Sequence, residues 1–143
     1  MTYRWSLHPV APLCYFFRME RKTKQRDAIW NAILHAARPL SPQEVHEIAS
    51  ADIAQLGIAT VYRTIKVFLE KGQLAQVDLP GQPPRYEKAG LKHHHHFHCR
   101  QCDRVYEMEG CAGNISALAP DNFVVEGHAL SLFGLCATCQ GNG

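Results

Sequence analysis

Nothing in the 143-residue sequence is long and apolar enough to cross a bilayer: no apolar run approaches the roughly 20 residues that a transmembrane helix needs. A secretory signal is missing too. The first 18 residues hold Leu13, Tyr15, Phe16 and Phe17, but Pro9 and Pro12 interrupt them, and there is neither a clean apolar h-region nor a small-residue cleavage site. No internal repeat is visible, and no single sign of charge dominates, the formal net charge being +2. With 46% hydrophobic and 20% charged residues, the chain reads as a globular protein of the cytoplasm that makes no use of a membrane. Residues 1–18 are expected to be a disordered leader or an overlong start, ahead of a more regular, charged stretch that opens at Met19.

Charge is unevenly spread. Residues 1–72 carry 10 Lys/Arg against 6 Asp/Glu, whereas residues 73–143 carry 5 against 7. The first part suits a polyanion and the second does not; a solvated surface with chance asymmetry accounts for the same counts. The larger anomaly is 6 Cys and 9 His. Without a secretory signal a disulfide framework is not expected, and paired Cys in a reducing compartment more often hold metal.

Apolar periodicity organises the first half. Thr23 is placed to cap a helix running to about Ala37, with Ala28, Ile29, Ala32, Ile33 and Ala36 on one stripe. Ser41-Pro42-Gln43-Glu44 is a helix start: Ser41 caps, Pro42 takes the first position, and Glu44 closes a capping box. From Ala59 to Lys71, Val61, Ile65, Phe68 and Leu69 form the buried face of a third helix, which leaves Thr60, Tyr62, Arg63 and Lys66 outside. Gly72 stops it. Short helices with a basic, aromatic last member predict a helix-turn-helix. Leu74–Leu79 and Arg85–Glu87, separated by Pro80-Gly81-Gln82-Pro83-Pro84, add a hairpin, hence a winged helix over residues 19–88. A second, metal-binding domain is expected over 89–143. In it Phe97–Cys99 and Val105–Met108 read as strands, Asn114–Ala119 as a short helix and Phe123–Phe133 as a long strand. The fold class is α+β.

Three constellations carry chemistry. Cys99-x2-Cys102 and Cys136-x2-Cys139 each clasp one side of an ion, and together complete a tetrahedron of thiolates, the ligand set of a closed structural zinc site. Two redox Cys pairs or buried thiols are the alternatives. In His93-His94-His95-His96-Phe97-His98, a strand would put His94, His96 and His98 on one face and His93 and His95 on the other, so two faces could feed two metal sites. Glu87 upstream and Glu107 on the following strand supply carboxylates. A solvated His run is the bland alternative. Lastly, Tyr62 and Arg63 stand near the start of a helix on its outer face, suited to base edges, with Lys66 in reach of phosphate; an ordinary surface helix would look the same.

Taken together, Gly57-Ile58-Ala59-Thr60-Val61-Tyr62-Arg63, the His93–His98 run, Cys99-x2-Cys102, Val105-Tyr106-Glu107, and His128 ahead of Phe133-Gly134-Leu135-Cys136-x2-Cys139 resemble the ferric uptake regulator (Fur) family of metal-dependent repressors over about residues 20–140. The resemblance implies a winged helix, a small α/β dimerisation domain holding structural zinc on the four Cys, and a homodimer that closes on a palindromic double-stranded DNA operator when a regulatory divalent metal binds at the hinge. By position it implies Glu87, His94, His96 and Glu107 as hinge ligands, and His93, His95 and His128 as a further site. Two positions depart from the family. Pro39 stands where a further hinge His is often found. Asn114, a poor ligand, stands where the other site usually has a Glu; nearby Cys111 could substitute, although a lone Cys is more often just packed.

The expected function is a metal-responsive transcriptional repressor with no organic substrate. Four N/O ligands favour tetrahedral zinc over ferrous iron, which more often takes five or six; iron, manganese and peroxide sensing stay open. Tyr62 would read a base, Arg63 and Lys66 would hold phosphate or guanine, and Arg21, Lys22 and Lys24 would reach the backbone or minor groove. A metalloenzyme using His94, His96 and a carboxylate is the rival, but no separate general base appears and the basic helical half would have no role. A metal-storage protein is the other rival, and it predicts no sequence preference on DNA.

Overall fold

The computed structural model describes residues 13–141, with side-chain surroundings from residue 21 onward. Helix α1 spans Leu13–Ala36. It passes through Thr23, which is therefore no cap, because neither Gly nor Pro interrupts the sequence from 13 to 36. Residues 13–18 of the expected leader belong to this helix; residues 1–12 lie outside the described residues. It ends where Ala37 turns left-handed, at φ 49°.

The capping box opens α2 (Pro42–Ser50) as expected. Ser41 Oγ accepts from the Glu44 amide at 3.2 Å, and Glu44 Oε2 accepts from the Ser41 amide at 2.9 Å. Helix α3 (Ile58–Glu70) starts at Gly57 and buries Val61, Ile65 and Phe68. Gly72, at φ 66°, reverses the chain into β1 (Leu74–Val77), which pairs antiparallel with β2 (Arg85–Lys88). Leu40 and Tyr86 exchange backbone hydrogen bonds of 2.9 and 2.8 Å, so the α1–α2 corner is sewn to the hairpin. Ile29, Leu40, Val45, Val61, Ile65 and Phe68 fill one continuous core, where the Trp30 and Phe68 rings meet at 5.1 Å. This is the winged-helix arrangement.

The rest is built on a sheet of order β4-β3-β5: β3 (His94–Cys99) at the centre, antiparallel to β4 (Val105–Glu109) and parallel to β5 (Ser131–Gly134). The expected long strand from Phe123 shrinks to Ser131–Gly134. Only that piece lies along β3, and a strand exists where its backbone groups find a ladder. The expected helix at Asn114–Ala119 is a single 3-10 turn, Ile115–Leu118. A four-residue helix α4 (Ala137–Gln140) follows β5. Val77 and Leu79 of the hairpin segment pack with Val105 of β4, joining the two parts.

Candidate metal centres and nucleic-acid face

Strand β3 organises the chemistry. Its pleat sends alternate imidazoles to opposite faces, and each face meets further donors. On one face His94 Nε2 lies 3.1 Å from Glu87 Oε1, and His96 Nε2 lies 3.2 Å from Glu87 Oε2 and 3.2 Å from His94 Nε2. Donors bound about 2.0–2.1 Å from a tetrahedral zinc ion are spaced about 3.3 Å apart, so these separations suit a shared ion. His94 Nδ1 donates to the Lys92 carbonyl at 2.7 Å, which leaves Nε2 with its lone pair toward the cluster. Burial works against a charged His94, but the Lys92 carbonyl and the carboxylates of Glu87 and Glu107 outweigh it and hold its pKa above the ordinary value. Glu107 pairs across the ladder with His96 and lies outside the mutual 4.8 Å group of Glu87, His94 and His96. It lines a cavity of about 440 Å³ with His93, His94 and Glu109.

On the other face His128 Nε2 lies 3.1 Å from His93 Nε2, 3.3 Å from His95 Nε2 and 3.1 Å from Cys111 Sγ. One ring nitrogen makes one hydrogen bond, so three such neighbours cannot all be satisfied by proton sharing, whereas a central cation satisfies them together. Burial, then the neighbouring His93 and His128, lower the pKa of His95, favouring the neutral form that ligates. Cys111 thus stands within ligand distance of the expected His93, His95 and His128, at the place of the missing carboxylate. The bends at Gly110 and Gly113, φ 85° and 59°, flank it and turn its sulfur to His128.

The third cluster is the four cysteines. Parallel pairing sets Cys99 beside Gly134, so the chain leaving β5 delivers Cys136 and Cys139 to the Cys99–Cys102 turn. The Cys102 and Cys136 sulfurs are 3.8 Å apart, the edge of a tetrahedron with zinc–sulfur bonds of about 2.3 Å. Backbone amides, that of Cys102 first and then those of Cys136 and Gln101, hold the Cys99 thiol down to about 6, against burial. Burial and the crowding thiols of Cys136, Cys102 and Cys99 push Cys139 up to about 12. A divalent cation removes that conflict by letting all four ionise.

Between the metal clusters and the helices lies a network that sequence reading missed. Buried Arg85 bridges Glu44 and Asp103, and Asp103 Oδ1 meets His98 Nε2 at 2.7 Å. His98, although in the His run, belongs to neither His cluster.

The expected nucleic-acid residues gather on the helical side. Tyr62 is exposed and its hydroxyl accepts from Gln43 Nε2 at 3.1 Å. Arg63 donates to Thr60 Oγ1 at 3.2 Å, and Lys66 stands 4.0 Å from Glu70 on the open face of α3. Lys22, Arg26, Thr60 and Arg63 line a groove of about 280 Å³ between α1 and α3, while Arg21 and Lys24 are exposed on the same stretch of α1. Arg26 lines the same groove and was not among the residues expected from sequence.

Comparison with known proteins decides the family. The model of the ferric uptake regulator family matches residues 19–133. The chain belongs to the ferric uptake regulator family. Among curated relatives, the ferric uptake regulation protein of Campylobacter upsaliensis is 30% identical over 123 residues, covering 82% of this chain and 79% of its own. That of Bordetella parapertussis is 33% identical over 106 residues, 72% of this chain and 76% of its own. Of solved structures, a zinc-bound manganese uptake regulator superposes with a TM-score of 0.70 at 26% identity, covering 87% of this chain and 99% of its own. An iron-containing ferric uptake regulator from Francisella tularensis, at 21% identity and TM-score 0.62 over 97% of this chain and 99% of its own, shares the fold. This member of the Fur family therefore has the α+β architecture expected from its residues, and is a regulator of the metal-responsive kind.

Proposed function

We propose that this Fur-family regulator represses transcription in response to zinc, as a cytoplasmic homodimer bound to a palindromic operator, and that it is not an enzyme. The observation that carries the reading is the pair of donor clusters on opposite faces of β3. Glu87, His94 and His96 join β2 to β3, so an ion there ties the helical part to the sheet, with Glu107 beside it as a further carboxylate. His93, His95, Cys111 and His128 form a three-nitrogen, one-sulfur set, and a thiolate favours zinc over manganese. The four cysteines hold structural zinc, since a closed thiolate site leaves no position open for chemistry. The division of the chain at residues 88 and 89 belongs to the same proposal.

Dimerisation is supported by the apolar surface on the sheet side. Phe123, Val124, Leu132, Phe133 and Leu135 are all exposed in one protomer, Phe123 and Val124 by 70% and 88%. So large a group of exposed apolar side chains fits a second copy of the chain. On the helical side, Tyr62 and Arg63 meet base edges, Thr60 and Lys66 meet phosphate, and Arg21, Lys22 and Lys24 extend the basic surface.

Selection from a randomised pool of double-stranded DNA tests this reading. Zinc-loaded protein should enrich an inverted repeat, and protein stripped to its four-cysteine zinc should enrich nothing. Equal enrichment under both conditions, or none under either, would overturn it.

A further inference from the structure

Arg85 is 2% exposed, and a guanidinium so buried persists only when paired on several sides. Its Nη1 donates to Glu44 Oε2 at 3.0 Å; its Nη2 donates to the Asp103 carbonyl at 2.7 Å and to Asp103 Oδ2 at 3.0 Å. Glu44 is also the carboxylate of the α2 capping box, and its Oε1 takes Arg38 at 2.8 Å. Asp103 directly follows Cys102 and sits at φ 59°, the left-handed region that glycine adopts freely and most side chains avoid. One guanidinium thus ties three places together: the start of α2, strand β2 and the Cys99–Cys102 turn.

Two residues beyond Arg85 on β2 stands Glu87, the carboxylate that reaches His94 and His96. The helical part therefore grips the sheet part twice from one strand. The Arg85 grip needs no ion at the hinge. Pro39, in the corner that Arg38 and Glu44 brace, offers no ligand atom, so that corner reaches the Cys99–Cys102 turn through the ion pairs of Glu44, Arg85 and Asp103.

We propose that Arg85 and Asp103 are positioning residues of the metal switch: their clasp holds Glu87 within reach of His94 and His96 before an ion binds. The proposal rests on the zinc-responsive reading above. Its physical basis is population: a site assembled only part of the time binds with an affinity reduced by that fraction. Asp103→Gly suits the left-handed backbone, replaces no ligand, and deletes the carboxylate, so that at residue 103 Arg85 keeps only the main-chain carbonyl. Asp103→Asn keeps an oxygen for Arg85.

The test is energy transfer between dyes on non-canonical residues at Lys71 and Gln140, with labelled chain diluted into unlabelled chain and zinc loaded only on the four cysteines. Wild type should show one narrow distance distribution, which zinc at the hinge shifts but does not narrow further. Asp103→Gly should broaden it and raise the free zinc needed to half-fill the hinge about tenfold, and Asp103→Asn should restore most of both. A wild-type distribution that is broad until hinge zinc binds would overturn the clasp. So would an Asp103→Gly protein indistinguishable from wild type. Should Asp103→Gly lose its cysteine-bound zinc, Arg85→Met breaks the clasp from the β2 side, and a narrow distribution there overturns the proposal equally. If the distances behave as stated while wild-type DNA binding ignores zinc, the clasp stands and the zinc-responsive reading falls.

Discussion

The two halves of the molecule hold together by different means. In the helical half, Ile29, Leu40, Val45 and Val61 are completely buried within one apolar cluster that runs from α1 to the hairpin. Beyond residue 89, the described residues bury only Cys99 and Val105 among apolar side chains, while His95 and His98 are buried and Phe123, Leu132 and Phe133 face outward. The first half contains its own hydrophobic driving force. The second has too little apolar burial to stand alone, and ligation together with a covered apolar face supplies what is missing.

The change expected to separate the halves most is Cys99→Ser. Structural zinc contributes about 10–16 kcal/mol of apparent binding energy in small zinc domains. Losing one thiolate should unfold the sheet half and abolish the dimer in sedimentation, with the helical circular dichroism mostly kept; a folded dimer lacking that zinc would contradict the contrast. Phe68→Ala attacks the other half. Removing a buried ring that packs on Trp30 should cost about 3–5 kcal/mol, seen as a lower thermal transition with unchanged zinc content.

His96→Ala should leave both halves folded and strike only their connection. Even indirect partners of metal ligands cost about 10–100-fold in affinity when removed, so the zinc concentration for operator binding should rise by at least that factor, while the protein carrying only its four-cysteine zinc melts at an unchanged temperature. The smallest effect expected is that of Ser41→Ala, about 1 kcal/mol for a lost cap; a urea midpoint within error of wild type would show the capping box to be idle.

How much could be read beforehand follows the same division. Local chemistry was legible: the Ser41–Glu44 box, the buried stripe of α3, the paired cysteines and the alternating histidines all depend on residues near one another in sequence, and all appear as expected. Long-range geometry was not. Phe123–Phe133 has strand composition, but only Ser131–Gly134 finds β3 as a neighbour. Thr23 looks like a cap, yet the unbroken sequence ahead of it continues the helix to Leu13. Glu107 was expected among the hinge donors and lies beside them, because the pairing register sets it opposite His96 without closing the last distance. The meeting of Asp103 with Arg85, 18 residues away on β2, arises only through the docking of the hairpin on the sheet.

The central claim is that zinc bound between the halves controls the grip on DNA. Its most direct test is anaerobic titration of operator binding with zinc, ferrous and manganous ions in parallel, starting from dimer that carries only its four-cysteine zinc. The account predicts that zinc restores binding at free concentrations far below those at which iron or manganese does so. DNA affinity independent of every metal, or restored only by iron or manganese, would contradict it.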